Sequence, residues 1–545
     1  MKPWRLPVCL LLALLVPGVL GCSGSEDDEQ ARWLGLLAAG AVIHALQESE
    51  PELWLRFAHI SDAHIGDEES PARTVRLDPL IPESWRPHEA YAAQVLDATL
   101  AVLNDHHARK PLDFVVHTGD AIELGQYNEL RWFIDVFDGQ WVVPDSGELD
   151  GVERAVAPEL NPKLGFQAEG LDRAIPWYSV YGNHDGLCVG NFRIRDGDPG
   201  PARWISPLIP TVARIIGLHA FEDRPNALWP ADDRSPAVIL GREEPPMDPD
   251  TLQLRVGGLR AGPIVPDSAR QFAGRHGFIE EHFHTVTEPV GHGFTESNRR
   301  EGHAYYSARP SGDAPIRLIV LDTVSSAPIP GFPFFYGVMT RDQFENFLKP
   351  EVKAARRAGE YVIIASHHPS IDFSIPHPGE TVGTWEFRRF LASQPNVLAH
   401  ICGHYHRNRV IMVKGRNPYP EIETASLIDY PQEGRVIEIY RYPRSGWFVV
   451  QSAMVSHMEA PTGLSAESFR RAAIDAQRSW MKASQESPSG GELPDAAAIL
   501  AELDLPKELL SSLPEDPFAA APAPQPVDVI KGGAADRDFR VELRR

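Results

Sequence analysis

The sequence predicts an α/β protein built on buried, mostly parallel strands, and three observations lead there. Apolar runs rich in β-branched and aromatic residues recur at Leu55–Ile60, Phe114–Val116, Trp177–Val180, Tyr361–Ala365 and Val397–Ile401. Runs that stay apolar instead of alternating suit strands covered on both faces. A stretch with helical spacing lies between the first two, where Tyr91, Val95 and Val102 share a face with Leu96, Leu100 and Leu103 beside it. Each of the five runs leads into a loop carrying carboxylate, amide or imidazole groups, and in open α/β sheets such loops gather at the carboxyl ends of the strands.

The elements follow in order. At the N-terminus, Lys2 and Arg5 precede an apolar stretch from Leu6 to Leu20, then Gly21-Cys22 and a polar segment containing Glu26, Asp27, Asp28 and Glu29. This reads as a secretory signal, too short to span a membrane comfortably. Val19-Leu20-Gly21-Cys22 resembles a bacterial lipoprotein box, which implies a signal peptide over residues 1–22, lipidation of Cys22 and a tether over residues 23–50. The protein is then expected to be exported and membrane-anchored on the periplasmic or cell-surface side. Simple cleavage of the leader would make it secreted instead.

After the first two strands, Asn128–Phe137 opens another helix, and from Cys188 to Ser307 the composition shifts to Pro, Gly, Arg and scattered aromatic residues. This long insertion is expected to overhang the loops in part, where Arg193, Arg195 and Arg203 can meet a phosphate or carboxylate. Ile316–Asp322 reads as a buried strand, and Thr340–Gln343 begins a helix expected to end near Pro350. Ile422–Leu427, Val436–Tyr440 and Trp447–Val450 are β-rich runs. Phe469, Ala473, Ala476 and Trp480 mark a helix, a second short one lies near Ala496–Leu503, and a Pro/Ala stretch covers Pro517–Pro526. Asp538–Leu543 can return as an edge strand.

The chemistry lies in five loops: Asp62-Ala-His64, Gly119-Asp120, Gly182-Asn183-His184-Asp185, His367-His368-Pro369 and Gly403-His404-Tyr405-His406. An isolated His or Asp at a strand end is usually structural, and His59, His117, His368 and His400 are read that way, as packing or supporting residues. Jointly the loops offer two carboxylates, an amide oxygen and four imidazoles, and burying so many polar groups without a metal would be costly. Mixed nitrogen and oxygen donors suit borderline divalent ions such as Mn, Fe or Zn, whereas Mg and Ca prefer oxygen shells.

In this order the loops resemble the calcineurin-like metallophosphoesterases, whose pattern runs DxH, GD, GNH[DE], H, GHxH. The resemblance implies a four-layer α/β/β/α sandwich over residues 51–458, interrupted by the 188–307 insertion, with the late β-rich runs completing its second sheet and residues 459–545 as a peripheral extension. It implies two divalent metal ions: Asp62, His64, Asp120 and His406 would hold one, and Asp120, Asn183, His367 and His404 the other, with Asp120 bridging. Such a pair, about 3.5–4 Å apart, can present a bridging hydroxide to a phosphorus and neutralise charge on the phosphoryl oxygens. His184 would protonate the leaving group or stabilise the transition state, with Asp185 orienting its imidazole. Purple acid phosphatases place a Tyr three residues after the bridging Asp, and this chain has Glu123 there, which argues against an iron–tyrosinate centre.

The expected activity is hydrolysis of a small phosphodiester or phosphomonoester. A nucleotidase, a phospholipid-headgroup phosphodiesterase and a non-catalytic surface-binding protein with structural metals are the alternatives. A formal net charge of −23 over 545 residues disfavours a nucleic-acid partner. Beyond the leader only Cys188 and Cys402 remain, so no disulfide framework supports the fold. Both lie near metal-site loops and can pair only if their Cα atoms come within about 7 Å.

Overall fold

The computed structural model describes residues 50–67, 70, 86, 88–146, 161–193, 267–310, 314–324, 336–374, 379–484 and 531–544. The expected signal peptide, the tether up to residue 49, the centre of the insertion with Arg195 and Arg203, the short helix near 496–503 and the Pro/Ala stretch lie outside the described residues, as does the side chain of Arg193.

Twelve strands form two six-stranded sheets among the described residues: β1 (Glu52–Ile60), β2 (Phe114–His117), β3 (Trp177–Ser179), β4 (Tyr306–Ala308), β5 (Ile316–Val320), β6 (Tyr361–Ala365), β7 (Val397–Cys402), β8 (Arg409–Val413), β9 (Tyr419–Glu423), β10 (Glu433–Arg441), β11 (Phe448–Ser456) and β12 (Arg540–Leu543). The first sheet runs β12-β11-β10-β1-β2-β3 and the second β8-β9-β7-β6-β5-β4. Both are mixed. β1, β2 and β3 pair in parallel, as do β5, β6, β7 and β9, while β10, β11 and β12 add antiparallel to β1, and β4 and β8 pair antiparallel at the ends of the second sheet.

Alternation along the strands explains the uniformly apolar runs. Leu318, Val320, Ile363 and Ala365 join one core cluster with Phe57, Ile60 and Val116 of the first sheet, and with Val95, Leu96, Phe133 and Phe137 of the helices Ala92–Arg109 and Tyr127–Phe137. Their neighbours Ile319, Val362 and Ile364 point the other way, into a second cluster with Phe344, Val352 and Phe387. Successive side chains of a strand face opposite sides, so a strand with cores on both sides is mostly apolar, and its polar members are paired, as Arg317 is with Glu360 and His400 with Glu421.

Two expectations need correction. Only one of the three late β-rich runs joins the second sheet, as β9, and it stops at Glu423. β10 and β11 instead extend the first sheet, because β10 matches the full length of β1 from Glu52↔Arg441 to His59↔Arg435. The helix begun at Arg341 does not end near Pro350: Gln343–Leu348 widens into a π-type turn and Lys349–Arg357 continues as α-helix. Proline lacks the N–H that an unbroken α-helix would use, and the wide turn just before it absorbs the change. Part of the insertion joins the core: Phe278, Ile279 and Phe294 are buried there, and His292 stacks on Trp177 at 3.6 Å. Cys188 and Cys402 are buried free thiols.

At the C-terminus, β12 pairs with β11 as an edge strand, burying Leu543 and Phe539. Just before it, Arg537 donates to Glu433 at 2.6 Å, and Asn408, two residues past His406, donates to the Lys531 carbonyl at 3.3 Å. Gly463–Ser484 forms the helix marked by Phe469 and Ala473. No described helix is long and apolar enough to cross a membrane.

Candidate metal centre

The first three loops follow β1, β2 and β3, and the last two follow β6 and β7, so the two sheets contribute donors from matching ends. Ligand placement is built into the backbone. Among the described residues eight non-glycine residues have positive φ, and five of them are Asp62, His64, Asp120, His404 and His406. Such conformations cost about 1–3 kcal/mol each and persist only where surrounding contacts dictate them. Two motif glycines are steric requirements: a Cβ on Gly182 would lie 2.2 Å from the Asp120 carboxylate, and one on Gly403 2.3 Å from that of Asp62.

Two groups of donors converge. In the first, His64 Nε2 lies 3.1 Å from His406 Nε2, 3.9 Å from Asp62 Oδ1 and 3.7 Å from Asp120 Oδ2. In the second, His367 Nε2 lies 2.8 Å from Asn183 Oδ1, 3.2 Å from His404 Nδ1 and 3.1 Å from Asp120 Oδ2. Asp120 Oδ2 therefore faces both groups. Clusters able to hold a cation include Asp62/His64/His406 and Asp62/Asp120/His367. The seven residues expected to bind metal come together around one point, six of them through side chains at most 8% exposed and His406 at 14%.

The outer partners decide which ring nitrogen is free. His367 Nδ1 donates to the Thr118 carbonyl at 2.9 Å, His64 Nδ1 to Glu123 Oε2 at 2.6 Å and His406 Nδ1 to Asp429 Oδ2 at 2.6 Å. Each Nε2 is thereby left as an inward acceptor. Asn183 Nδ2 donates to the Gly190 carbonyl at 3.1 Å, which turns Oδ1 inward. Two acceptors 2.8 Å apart, His367 Nε2 and Asn183 Oδ1, repel unless a proton or cation lies between them. The donor set thus fits a pair of cations of the borderline class.

Electrostatics tell the same story. Burial pushes the Asp62 carboxyl up, but hydrogen bonds with His406 and His64 outweigh it and hold it well below the usual carboxylate range. For His367 burial opposes protonation, yet Asp120 and Asp62 raise it to about 9. For His406 burial is outweighed by Asp429 and Asp62, which raise it to about 10. The carboxylates therefore favour positive charge at these positions, which bound cations can supply.

His184 lies beside this centre, its ring 4.5 Å from that of His64. Asp185 does not orient it. The Asp185 carboxylate instead accepts backbone N–H groups from Asp120, Ala121, Ile122 and Gly182 at 2.8–3.2 Å, which shapes the loop that presents Asp120. Asp185 occupies the third position of a one-turn helix, where it caps the Gly182 N–H and also reaches the N–H groups of the Asp120 loop. His184 Nδ1 meets the Glu123 carbonyl at 3.0 Å and the Glu123 carboxylate at 3.4 Å. Burial lowers the His184 pKa, but Glu123 and Asp120 outweigh that and raise it above its ordinary value.

Sequence reasoning missed the supporting carboxylates Asp429 and Asp372, and it saw Glu123 only as the position of an absent tyrosine. Asp372 accepts the Tyr405 hydroxyl and lies 3.6 Å from His404 Nε2. Of the histidines set aside, His59 bonds Thr118 and Thr424, His400 bonds Ser366 and Glu421, and His368 bonds Thr323. His368 also falls in a cluster with His367 and His404.

Residues 55–255 match the calcineurin-like phosphoesterase family. No curated protein matches the chain. Among solved structures, a dimetal phosphatase from Danio rerio is similar at 13% identity and a TM-score of 0.36, over 74% of this chain and 100% of that one. The sulfate thiohydrolase SoxB of Thermus thermophilus, in complex with glycerol, is similar at 11% identity and a TM-score of 0.29, over 79% of this chain and 62% of that one. The matched span holds the first three loops, and the fold brings His367, His404 and His406 onto them. Over residues 55–255 the chain is similar to the calcineurin-like phosphoesterases, and its buried His/Asp clusters can hold metal ions.

Proposed function

We propose that the protein hydrolyses small phosphoesters at a centre of two divalent metal ions, Asp62, His64, Asp120 and His406 holding one and Asp120, Asn183, His367 and His404 the other. The observation that carries this reading is the position of Asp120 Oδ2, 3.7 Å from His64 Nε2 and 3.1 Å from His367 Nε2, between two groups of inward acceptors. When bound, the two ions would supply a nucleophile at neutral pH and neutralise charge on the phosphoryl oxygens. Mn, Fe and Zn suit the donors.

The chain's own residues do the rest. His184, anchored through Nδ1 at Glu123, keeps Nε2 free to give a proton to the leaving group, and Glu123 favours the charged form needed to give it. Asp185 rigidifies the Asp120 loop. Asp429, Glu123 and the Thr118 carbonyl fix the ring orientation of His406, His64 and His367.

The finer architecture we propose is a four-layer α/β/β/α sandwich over residues 51–458, supported by the core cluster that contains residues of both sheets, with the 459–545 extension returning one edge strand. We further propose export through the 1–22 signal, with Cys22 lipidated and residues 23–50 as a tether. A Cys22→Ser variant that still partitions with membranes would contradict the anchor.

Metal content measured together with hydrolysis of bis-p-nitrophenyl phosphate and p-nitrophenyl phosphate, before and after chelation and Mn²⁺ add-back, tests the activity. Chelator-sensitive turnover with about two ions per chain supports it, and the preferred ester separates diesterase from phosphatase. Release of choline or ethanolamine phosphates against release of nucleosides separates a headgroup phosphodiesterase from a nucleotidase. Two bound ions without turnover on a broad phosphoester panel would favour a surface-binding role.

A further inference from the structure

We infer that Arg86 is a positioning residue that locks two metal-binding imidazoles, His64 and His406, to one another through the carboxylates that orient them. The inference rests on the two-metal reading above. Arg86 belongs to none of the five loops, yet its side chain is buried, 4% exposed.

Its Nε donates to both oxygens of Asp429 at 2.9 and 3.1 Å, and its Nη1 lies 3.4 Å from Glu123 Oε2. Those two carboxylates are the ones that fix the rings. Glu123 Oε2 accepts from His64 Nδ1 and Asp429 Oδ2 from His406 Nδ1, each at 2.6 Å. A closed path therefore runs from His64 through Glu123, Arg86 and Asp429 to His406, whose Nε2 faces the Nε2 of His64 at 3.1 Å. His88 Nε2, 3.3 Å from Asp429 Oδ1, braces the same carboxylate.

The guanidinium does two things here that no other group in the path can do. Its rigid fork spans two separate carboxylates, so the two imidazoles keep a fixed relative orientation instead of turning independently. Its charge compensates the buried Glu123 carboxylate and the partly buried Asp429 carboxylate, which would otherwise repel across the site. Glu123 also faces His184 at 3.4 Å, so the same lock reaches the proposed proton donor. The second group of donors has different supports, the Thr118 carbonyl for His367 and Asp372 near His404. Loss of Arg86 should therefore act on one metal position and spare the other.

The test uses the full-length protein stripped of its leader, with Mn²⁺ titrated calorimetrically into the parent, Arg86→Met and Arg86→Lys, alongside Co²⁺ absorption spectra and thermal melts. The parent should take up two ions. Arg86→Met should lose about 10–100-fold in affinity at one position, the range typical when a partner that orients a metal-bound imidazole is removed, while the other position is unchanged. The Co²⁺ spectrum should change only for the weakened position. Arg86→Lys restores charge without the fork and should regain thermal stability but not affinity.

A merely structural arginine would lower the melting temperature of Arg86→Met and leave both affinities and the Co²⁺ spectrum at parental values, which would overturn the inference. If Arg86→Met does not fold, Arg86→Lys decides: weakened binding at one position supports the lock, and parental binding at both overturns it. A parent that binds fewer than two ions would instead refute the two-metal reading itself.

Discussion

Replacing Glu123 by Gln keeps the shape of the side chain and removes its charge, and this one change should separate two functions of the centre. The carboxylate now holds His64 Nδ1 at 2.6 Å and lies 3.4 Å from His184 Nδ1 and 3.4 Å from Arg86 Nη1. The amide can still accept from His64, but the bond is no longer charge-assisted, and its NH₂ group meets one of three donors. Removal of such an orienting carboxylate costs about 10–100-fold in metal affinity, or roughly 1.4–2.7 kcal/mol. His184 responds separately. Burial lowers its pKa and Glu123 is the largest influence raising it, so Glu123→Gln lowers it. A general acid works in its protonated form, so activity falls as pH rises through its pKa, and the alkaline limb of kcat should move to lower pH. Calorimetric Mn²⁺ titration and a pH–rate profile on bis-p-nitrophenyl phosphate measure both effects. Parental affinity together with an unmoved alkaline limb would refute the reasoning.

Further outcomes follow from the same contacts. Asp120→Ala and His404→Ala should each abolish turnover while leaving the melting temperature of the metal-free protein near that of the parent; parental turnover in both would sink the mechanism. Glu421 is buried, and although burial raises its pKa, His400, Arg388 and Ser370 hold it down at about 2. A depressed carboxyl contributes stability that is full above its unfolded pKa near 4.5 and is lost as pH falls toward 2. Acid unfolding of the parent should therefore show a Glu421 contribution of about 3 kcal/mol, absent in Glu421→Gln. Deleting residues 531–545 strips β12 from the sheet with buried Phe539 and Leu543, which should cost about 3–6 kcal/mol. An unchanged denaturation midpoint would show that the extension is peripheral. Asp185→Ala leaves backbone N–H groups of the Asp120 loop unpaired and should lower both stability and metal affinity without shifting the His184 limb, because Asp185 does not touch that ring.

The strands were legible because their function in the fold is written in composition: β5, β6 and β7 bury both faces, so Ile316–Val320, Tyr361–Ala365 and Val397–Cys402 are mostly apolar, and the polar Arg317 and His400 are paired with Glu360 and Glu421. The ligand loops were legible because residue type and order together are far more specific than any single histidine. Sheet membership was not, since β9 and β10 are similar β-rich runs only nine residues apart, yet only long-range pairing with β1 decides that β10 leaves the second sheet. The helix begun near Arg341 was legible, but its continuation past Pro350 was not, because a π-type turn rescues what proline alone would break. The supports of the site were hidden for a related reason: Arg86, Asp429 and Asp372 follow no spacing rule, and their contacts span sequence separations such as the 343 residues between Arg86 and Asp429. Asp185 misled because adjacency to His184 in sequence suggested contact, whereas the turn directs its carboxylate to the backbone N–H groups of the Asp120 loop.

The most direct test of the central claim is anomalous diffraction from crystals grown with Mn²⁺. Two peaks about 3.5–4 Å apart, sharing Asp120, one beside His64 and His406 and the other beside His367 and His404, are the predicted result. A single peak, or ions bound away from Asp120, would contradict it.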